Sequence, residues 1–221
     1  MERMSERWTV EIGESILGHN AEAAARNRGR FQEAGVRVVG IVSSPGSGKT
    51  ALLERTLADL QGRVAAGVIV GDLQTDNDAR RLRGKGAPVV QITTGGYCHL
   101  EAEMVARALE KLDLATLQLL FVENVGNLVC PAAYDLGEAI RVVALSVTEG
   151  EDKPLKYPTI FRNADVVLVT KMDLADAVGL DQEALQDSLQ QAAPQARVFA
   201  VSARTGAGME AWYDFLQQTL T

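Results

Sequence analysis

The densest chemistry in this sequence lies between Ser43 and Thr50, SSPGSGKT. A glycine-containing loop between an apolar strand and a helix turns its amides toward phosphate oxygens, and the helix start adds unpaired amides and a positive dipole end. The run Pro45, Gly46, Ser47, Gly48, Lys49, Thr50 and Ala51 is therefore the expected phosphate cradle. Lys49 reaches the terminal phosphates as a catalytic charge, and the Thr50 hydroxyl is a ligand for Mg²⁺. The strict form GxxxxGK followed by S or T opens with glycine where this chain has Ser43. Two carboxylates follow apolar strands downstream. Asp72, after GVIVG, is placed to hold Mg²⁺ or to orient an attacking water, with a helix N-cap as its alternative. Glu123, after LLFV, stands where a second Mg²⁺-side carboxylate belongs, and Gly126 lets backbone approach the outermost phosphate.

A second pair of strand ends reads a base. After ADVVLV comes Thr170-Lys171-Met172-Asp173, and after RVFAV comes Ser202-Ala203-Arg204. A carboxylate at Asp173 accepts two hydrogen bonds from the donor edge of guanine, the Lys171 stem covers the ring, and backbone amide near Ser202 and Ala203 meets the guanine carbonyl. Adenine offers no such pair of donors. Thr170 stands where asparagine is commoner, which leaves one side-chain contact open.

A third group has soft donors. TTGGYCHLEAEMV carries Cys98 and His99 after two glycines, and the only other cysteine, Cys130, lies in NLVCPAAYDLG. Thiolate beside imidazole suits Ni²⁺, Zn²⁺ or copper. Three ligands are one short of a closed tetrahedral site, which points to an exchangeable site or one completed by a second subunit. Cys98 and His99 are adjacent, so their side chains need not reach the same ion. The alternative is that both cysteines are small buried hydrophobes and His99 merely opens a helix. His19, in a polar helix, reads as a surface residue.

These groups need a scaffold that gathers strand ends. Short β-branched runs alternate with amphipathic helices from residue 38 onward, which predicts a mostly parallel α/β sheet covered on both faces, with ligands beyond the carboxyl ends of the strands. Predicted strands are 38–42, 65–70, 88–92, 117–122, 142–147, 166–170 and 198–201. Predicted helices are 51–60, 76–83, 100–112, 182–192 and 209–220, and 124–141 is the long irregular stretch. Trp8, Ile12, Ile16 and Leu17 are at helical spacing, giving one or two helices outside the sheet, stopped by Gly35. The organisation expected is an N-terminal helical extension, residues 1–35, and a nucleotide-binding domain, residues 36–221. Of the 221 residues 47% are apolar, and the net charge of −7 disfavours a general nucleic-acid surface. No apolar run reaches membrane-span length, and the first 25 residues lack a secretion signal, so a cytoplasmic protein is expected.

Taken together, SPGSGKT, GDLQTDNDA, TTGGYCHLEAEMV, FVENVGNLVCPAAYDLGE, YPTIFRNADVVLVTKMDL and VSARTGAGME resemble the hydrogenase-maturation nickel-insertion GTPases, the HypB family. The resemblance covers roughly residues 36–221. It implies a P-loop GTPase fold of the SIMIBI class, GTP with Mg²⁺, and a homodimer. It further implies a partner nickel metallochaperone and, as recipient, the large-subunit precursor of nickel–iron hydrogenase. It also implies that Cys98, His99 and Cys130 form a Ni²⁺ or Zn²⁺ site at the dimer interface. Some members carry a His-rich tract or an N-terminal cysteine motif; this sequence has neither, so nickel storage is not expected.

On this reading GTP and Mg²⁺ engage Lys49, Thr50, Asp72 and Glu123, the γ-phosphate orders the loops after Asp72 and Glu123, and those loops close the dimer and assemble the metal site. Competing readings are a related GTPase serving urease or a cobalamin enzyme, a P-loop small-molecule kinase, and a non-catalytic nucleotide-dependent scaffold. CHLEAEMV argues against the urease type, which carries Cys-Pro-His, and TKMD against the kinase.

Overall fold

The structure, a computed structural model, describes the backbone of residues 7–220 and the side chains of residues 17–220. The chain runs α1 Arg7–Ala34, β1 Arg37–Ser43, α2 Lys49–Leu60, β2 Ala66–Asp72, α3 Asn77–Leu82, β3 Val89–Thr93, α4 Ala102–Leu109, β4 Leu119–Glu123 and β5 Ile140–Ser146. It continues α5 Lys153–Lys156, α6 Pro158–Arg162, β6 Val166–Thr170, α7 Ala175–Val178, α8 Gln182–Ala192, β7 Arg197–Ala200 and α9 Met209–Gln218. The strands form one seven-stranded sheet in the order β3-β2-β4-β1-β5-β6-β7. Every pairing is parallel. This is the helix-flanked parallel sheet, preceded by a helix, that the alternation of strands and helices predicts.

Strand alternation explains why both sheet faces are dry. On β1, Val39 and Ile41 pack with Leu52 and Leu57 of α2 and Trp212 of α9. Val38 instead joins Phe31 of α1, Val105 of α4 and Leu120, while Val42 joins Phe161 of α6 and Leu185 and Leu189 of α8. Each such buried Leu or Phe side chain contributes about 1.5–3 kcal/mol relative to exposure. The same alternation aims the strand ends. Phe121 of β4 packs on the α2 side, so Glu123, two residues on, projects toward the start of α2.

The expected N-terminal helix is a single one. Gly35, at φ 67°, ends it in the left-handed conformation that glycine adopts freely. The side chains of Trp8, Ile12 and Ile16 lie outside the described residues, and Leu17 is 43% exposed. The buried face is Asn20, Ala23, Ala24, Asn27 and Phe31. Asn27 Nδ2 donates to the carbonyls of Ala102 and Leu136, and Asn20 Oδ1 accepts from Ala102 N. Helix α4 starts at Ala102 rather than at Leu100, because Glu101, at φ −106° and ψ 154°, is extended; Leu100 N, ahead of it, is bonded to Asn124 Oδ1 at 2.9 Å. Helices α5, α6 and α7 are additional to those expected from the sequence; α5 carries Pro154 in its first turn and α6 begins at Pro158, residues preset for a helix's first turn. Among the described residues no helix is long and apolar enough to cross a membrane.

Candidate functional site

Beyond the carboxyl ends of β1, β2 and β4 lies a cavity of about 430 Å³ lined by Pro45, Gly46, Gly48, Lys49, Thr50, Ala51, Asp72, Glu123 and Gly126, among others. The loop that makes its floor depends on glycine, since Gly46 and Gly48 hold φ 76° and 95°. Ser43 ends β1 with ordinary backbone, so glycine is not required there. Its hydroxyl accepts a 2.9 Å hydrogen bond from Lys49 Nζ. Ser47 is buried behind the loop, with Oγ 2.8 Å from both Glu149 Oε1 and Ser44 O.

Glu123 is buried, and its Oε1 accepts from Thr50 Oγ1 at 2.8 Å. Its Oε2 is buried with no hydrogen-bond partner. Burial pushes its pKa up to about 7, against the pull of Lys49 and the Thr50 hydrogen bond. Burial also holds Lys49 below its ordinary value, with Glu123 the strongest opposing charge. An orphaned carboxylate oxygen next to a threonine hydroxyl is a donor set that a hard divalent cation satisfies. Asp72 caps a turn rather than a helix: Oδ1 accepts from Gln74 N and Thr75 N, both at 3.0 Å, and the N-cap of α3 is Asp76.

A second cavity, about 210 Å³, adjoins the first through Gly48 and Ala51 and is lined by Thr170, Lys171, Asp173, Ala203 and Arg204. Lys171 sits at φ 59°, a left-handed position, and its Nζ donates to Gly46 O at 2.6 Å. Thr170 Oγ1 donates to Ser47 O at 2.6 Å. Thr170, which stands where asparagine is commoner, is thereby bonded to the phosphate loop. Ser202 is fully buried and does not line the cavity; its Oγ donates to Asp173 Oδ1 at 2.6 Å and holds that carboxylate in place.

The third cluster stands on the loops after β3 and β4. Ligand atoms of Cys98, His99 and Cys130 lie within 4.8 Å of one another. The adjacent Cys98 and His99 therefore do converge. The sulfurs of Cys98 and Cys130 are 2.9 Å apart, and His99 Nδ1 is 3.8 Å from Cys98 Sγ. Burial lowers the pKa of His99, which favours the neutral, metal-ligating imidazole. The hydrogen bond with Cys98 raises that of the Cys130 thiol. Tyr134 packs its ring 3.9 Å from the His99 ring, and Glu101 Oε1 lies 3.7 Å from the otherwise unpartnered His99 Nε2. Two thiols and an imidazole suit Ni²⁺ or Zn²⁺. Neither cysteine is a core hydrophobe, both being half-buried, and His19 is exposed.

The structure brings the sequence-predicted residues into two adjoining cavities and one donor cluster on a single sheet rim. Sequence reasoning missed Asp78, Arg81 and Asn124 as cavity-lining residues, and Glu149 as the anchor behind Ser47. Asn124 had a readable signal, an amide directly after the strand-end Glu123. Arg81 and Glu149 had none, because helix α3 and the turn after β5 place them from a distance.

A profile of the CobW/HypB/UreG nucleotide-binding domain matches residues 37–200. The hydrogenase maturation factor HypB of Azotobacter vinelandii is 51% identical over 215 residues, covering 97% of this chain and 71% of that protein. Among solved structures, the hydrogenase maturation factor HypB of Archaeoglobus fulgidus superposes with TM-score 0.86 at 41% identity, over 92% of this chain and 100% of that one. HypB of Helicobacter pylori in complex with nickel superposes with TM-score 0.87 at 42% identity, over 91% and 95%.

Proposed function

Because the chain belongs to the HypB hydrogenase-maturation GTPases of the CobW/HypB/UreG family, we propose that it hydrolyses GTP to drive nickel insertion into the large-subunit precursor of nickel–iron hydrogenase. A metallochaperone role comes with the family; GTP as the nucleotide, nickel as the cargo and the hydrogenase precursor as recipient are the finer proposal. The observation that carries it is the convergence of Cys98, His99 and Cys130 within 4.8 Å, with Cys130 on the loop after β4 whose first residues, Asn124 to Gly126, wall the phosphate cavity.

In this reading the triphosphate lies along Gly46 to Ala51, Lys49 stabilises charge developing on the terminal phosphates, and Asp72 orients the attacking water. Mg²⁺ is held by Thr50 and Glu123, with Asp72 beside them, and supplies neutralisation of phosphate charge. The orphaned Glu123 Oε2 supports that assignment. Guanine is read by Asp173, with Ser202 fixing the carboxylate and Ala203 against the base. The loops after Asp72 and Glu123 respond to the γ-phosphate, and the metal ligands that they flank then bind more tightly in a homodimer. The three-ligand set supports completion by a second copy. A partner nickel chaperone loads the site. Residues 1–35 form the helical extension and 36–221 the nucleotide-binding domain. GTP as substrate implies the cytoplasm.

The test is paired binding and turnover. Cys130→Ser should lose Ni²⁺ in a chelator competition while GTP hydrolysis and its preference over ATP persist. Full Ni²⁺ affinity in Cys130→Ser, or equal hydrolysis of ATP, would contradict the assignment.

A further inference from the structure

We propose that Asn124 is the positioning residue through which the phosphate cavity sets the geometry of the metal-ligand cluster. The inference rests on the reading above, that nucleotide and metal binding are coupled, and names the side chain that does it. Asn124 lines the phosphate cavity immediately after Glu123 and is buried. Its Oδ1 accepts two hydrogen bonds, from Val125 N and from Leu100 N, both at 2.9 Å. The first bond is local. The second crosses to the residue directly after His99.

Three further contacts make this a hub rather than an isolated cap. Asn124 N donates to Ile41 O at 2.9 Å, which ties the segment to β1 below the phosphate loop. Two residues on, a Cβ placed at Gly126 would lie 2.9 Å from Pro45 Cα, so the backbone after Asn124 touches the phosphate loop itself. On the other side, Asn127 Nδ2 donates to Cys98 O at 3.3 Å. The Cys98–His99 pair is thus bracketed by bonds to two asparagines of one loop, and Cys130 ends that loop. Movement of Gly126 relative to Pro45 is transmitted to all three ligands. Leu100 is fully buried and its amide has no access to water, so the Asn124 bond cannot be replaced by solvent when the loop shifts.

Asn124→Ser removes the bond to Leu100 N. A serine hydroxyl is too short to reach across to that amide, while the position stays small and polar. The experiment measures Ni²⁺ affinity of wild type and Asn124→Ser, each saturated with GDP and then with a non-hydrolysable GTP analogue. The ratio within each protein is the readout, so a general loss of affinity cancels. Wild type should show a ratio of about fivefold or more, and Asn124→Ser should fall to within about twofold of unity. A wild-type ratio of unity defeats the coupled reading itself, and this inference with it. A normal wild-type ratio that survives in Asn124→Ser defeats the Asn124 assignment alone. Should the variant not fold, residue-resolved hydrogen exchange of the wild type decides. Protection of the Leu100 amide should differ between the two nucleotides, and equal protection in both overturns the proposal.

Discussion

Replacing Glu123 with glutamine should flatten the pH dependence of stability of the protein without ligands while destroying its Mg²⁺-dependent chemistry. The carboxyl group is buried with one oxygen unpartnered, and its pKa is raised from 4.5 to about 7. That difference corresponds to about 3 kcal/mol. The sign follows from proton counting. Between pH 4.5 and 7 the folded state holds the proton more tightly than the unfolded chain, so stability falls as pH rises through that window and is flat above it. Glutamine keeps the acceptor for Thr50 Oγ1 and cannot ionise. Its amide brings a donor into the place of Oε2, which offsets about 1 kcal/mol. The substitution also removes the strongest charge that supports the buried Lys49 ammonium, so the predicted readout is the pH slope, which should flatten between about pH 5 and 7 in the variant. The assay is urea unfolding of both proteins in chelator without nucleotide, from acid to alkaline pH. A variant with the same pH slope as wild type would refute the argument, because the slope would then belong to another group.

Other outcomes follow from the same contacts. A Cβ at Gly71 would lie 2.7 Å from Leu100 Cδ2, so Gly71→Ala should cost about 1–3 kcal/mol and weaken Ni²⁺ binding more than GDP binding in parallel titrations. Ser202→Ala removes the 2.6 Å bond to Asp173 and should lower guanine-nucleotide affinity by about tenfold or more, read by displacement of a fluorescent nucleotide. Asp173→Asn exchanges an acceptor for a donor and should move preference from guanine toward xanthine nucleotides; full GTP selectivity in that variant would count against the base site. Metal binding requires thiolate, and the Cys130 thiol is raised by its hydrogen bond with Cys98 while His99 is lowered. Ni²⁺ affinity should keep rising from about pH 6 to pH 9 with proton release, measurable by calorimetry in buffers of different ionisation enthalpy. A plateau beginning near the ordinary histidine range would mean that the thiols are not the limiting ligands.

Local chemistry at strand ends was legible in the sequence because each motif follows its own apolar run. SSPGSGKT, TKMD and the Cys98–His99 pair could be placed on one rim once the sheet was taken as parallel. Several features were invisible for a common reason: they depend on which distant backbone group a polar side chain reaches. Asn20 and Asn27 break the apolar pattern of α1 and yet make its buried face, through hydrogen bonds to Ala102 and Leu136. Leu100 fits the helical period that begins at Ala102, but the backbone of Glu101 between them is extended, so the helix starts later. Ser43 looked like a defect in the phosphate loop; ordinary backbone and a bond to Lys49 make it compatible with the site. The Ser202 hydroxyl holds Asp173, a side-chain role not legible beside the backbone contact to the base expected near Ser202 and Ala203. Thr170 stands where asparagine is commoner, and its hydroxyl reaches Ser47 O.

The central claim is that phosphate state controls metal affinity through the rim shared by Lys49, Glu123, Cys98 and Cys130. Its most direct test is an equilibrium Ni²⁺ titration of the wild-type protein with GDP and with a non-hydrolysable GTP analogue, molecular mass being followed in the same samples, and Cys98→Ala as control. Tighter Ni²⁺ binding with the GTP analogue, lost in Cys98→Ala while the analogue still binds, is the predicted result. Identical Ni²⁺ affinity with both nucleotides would contradict the account.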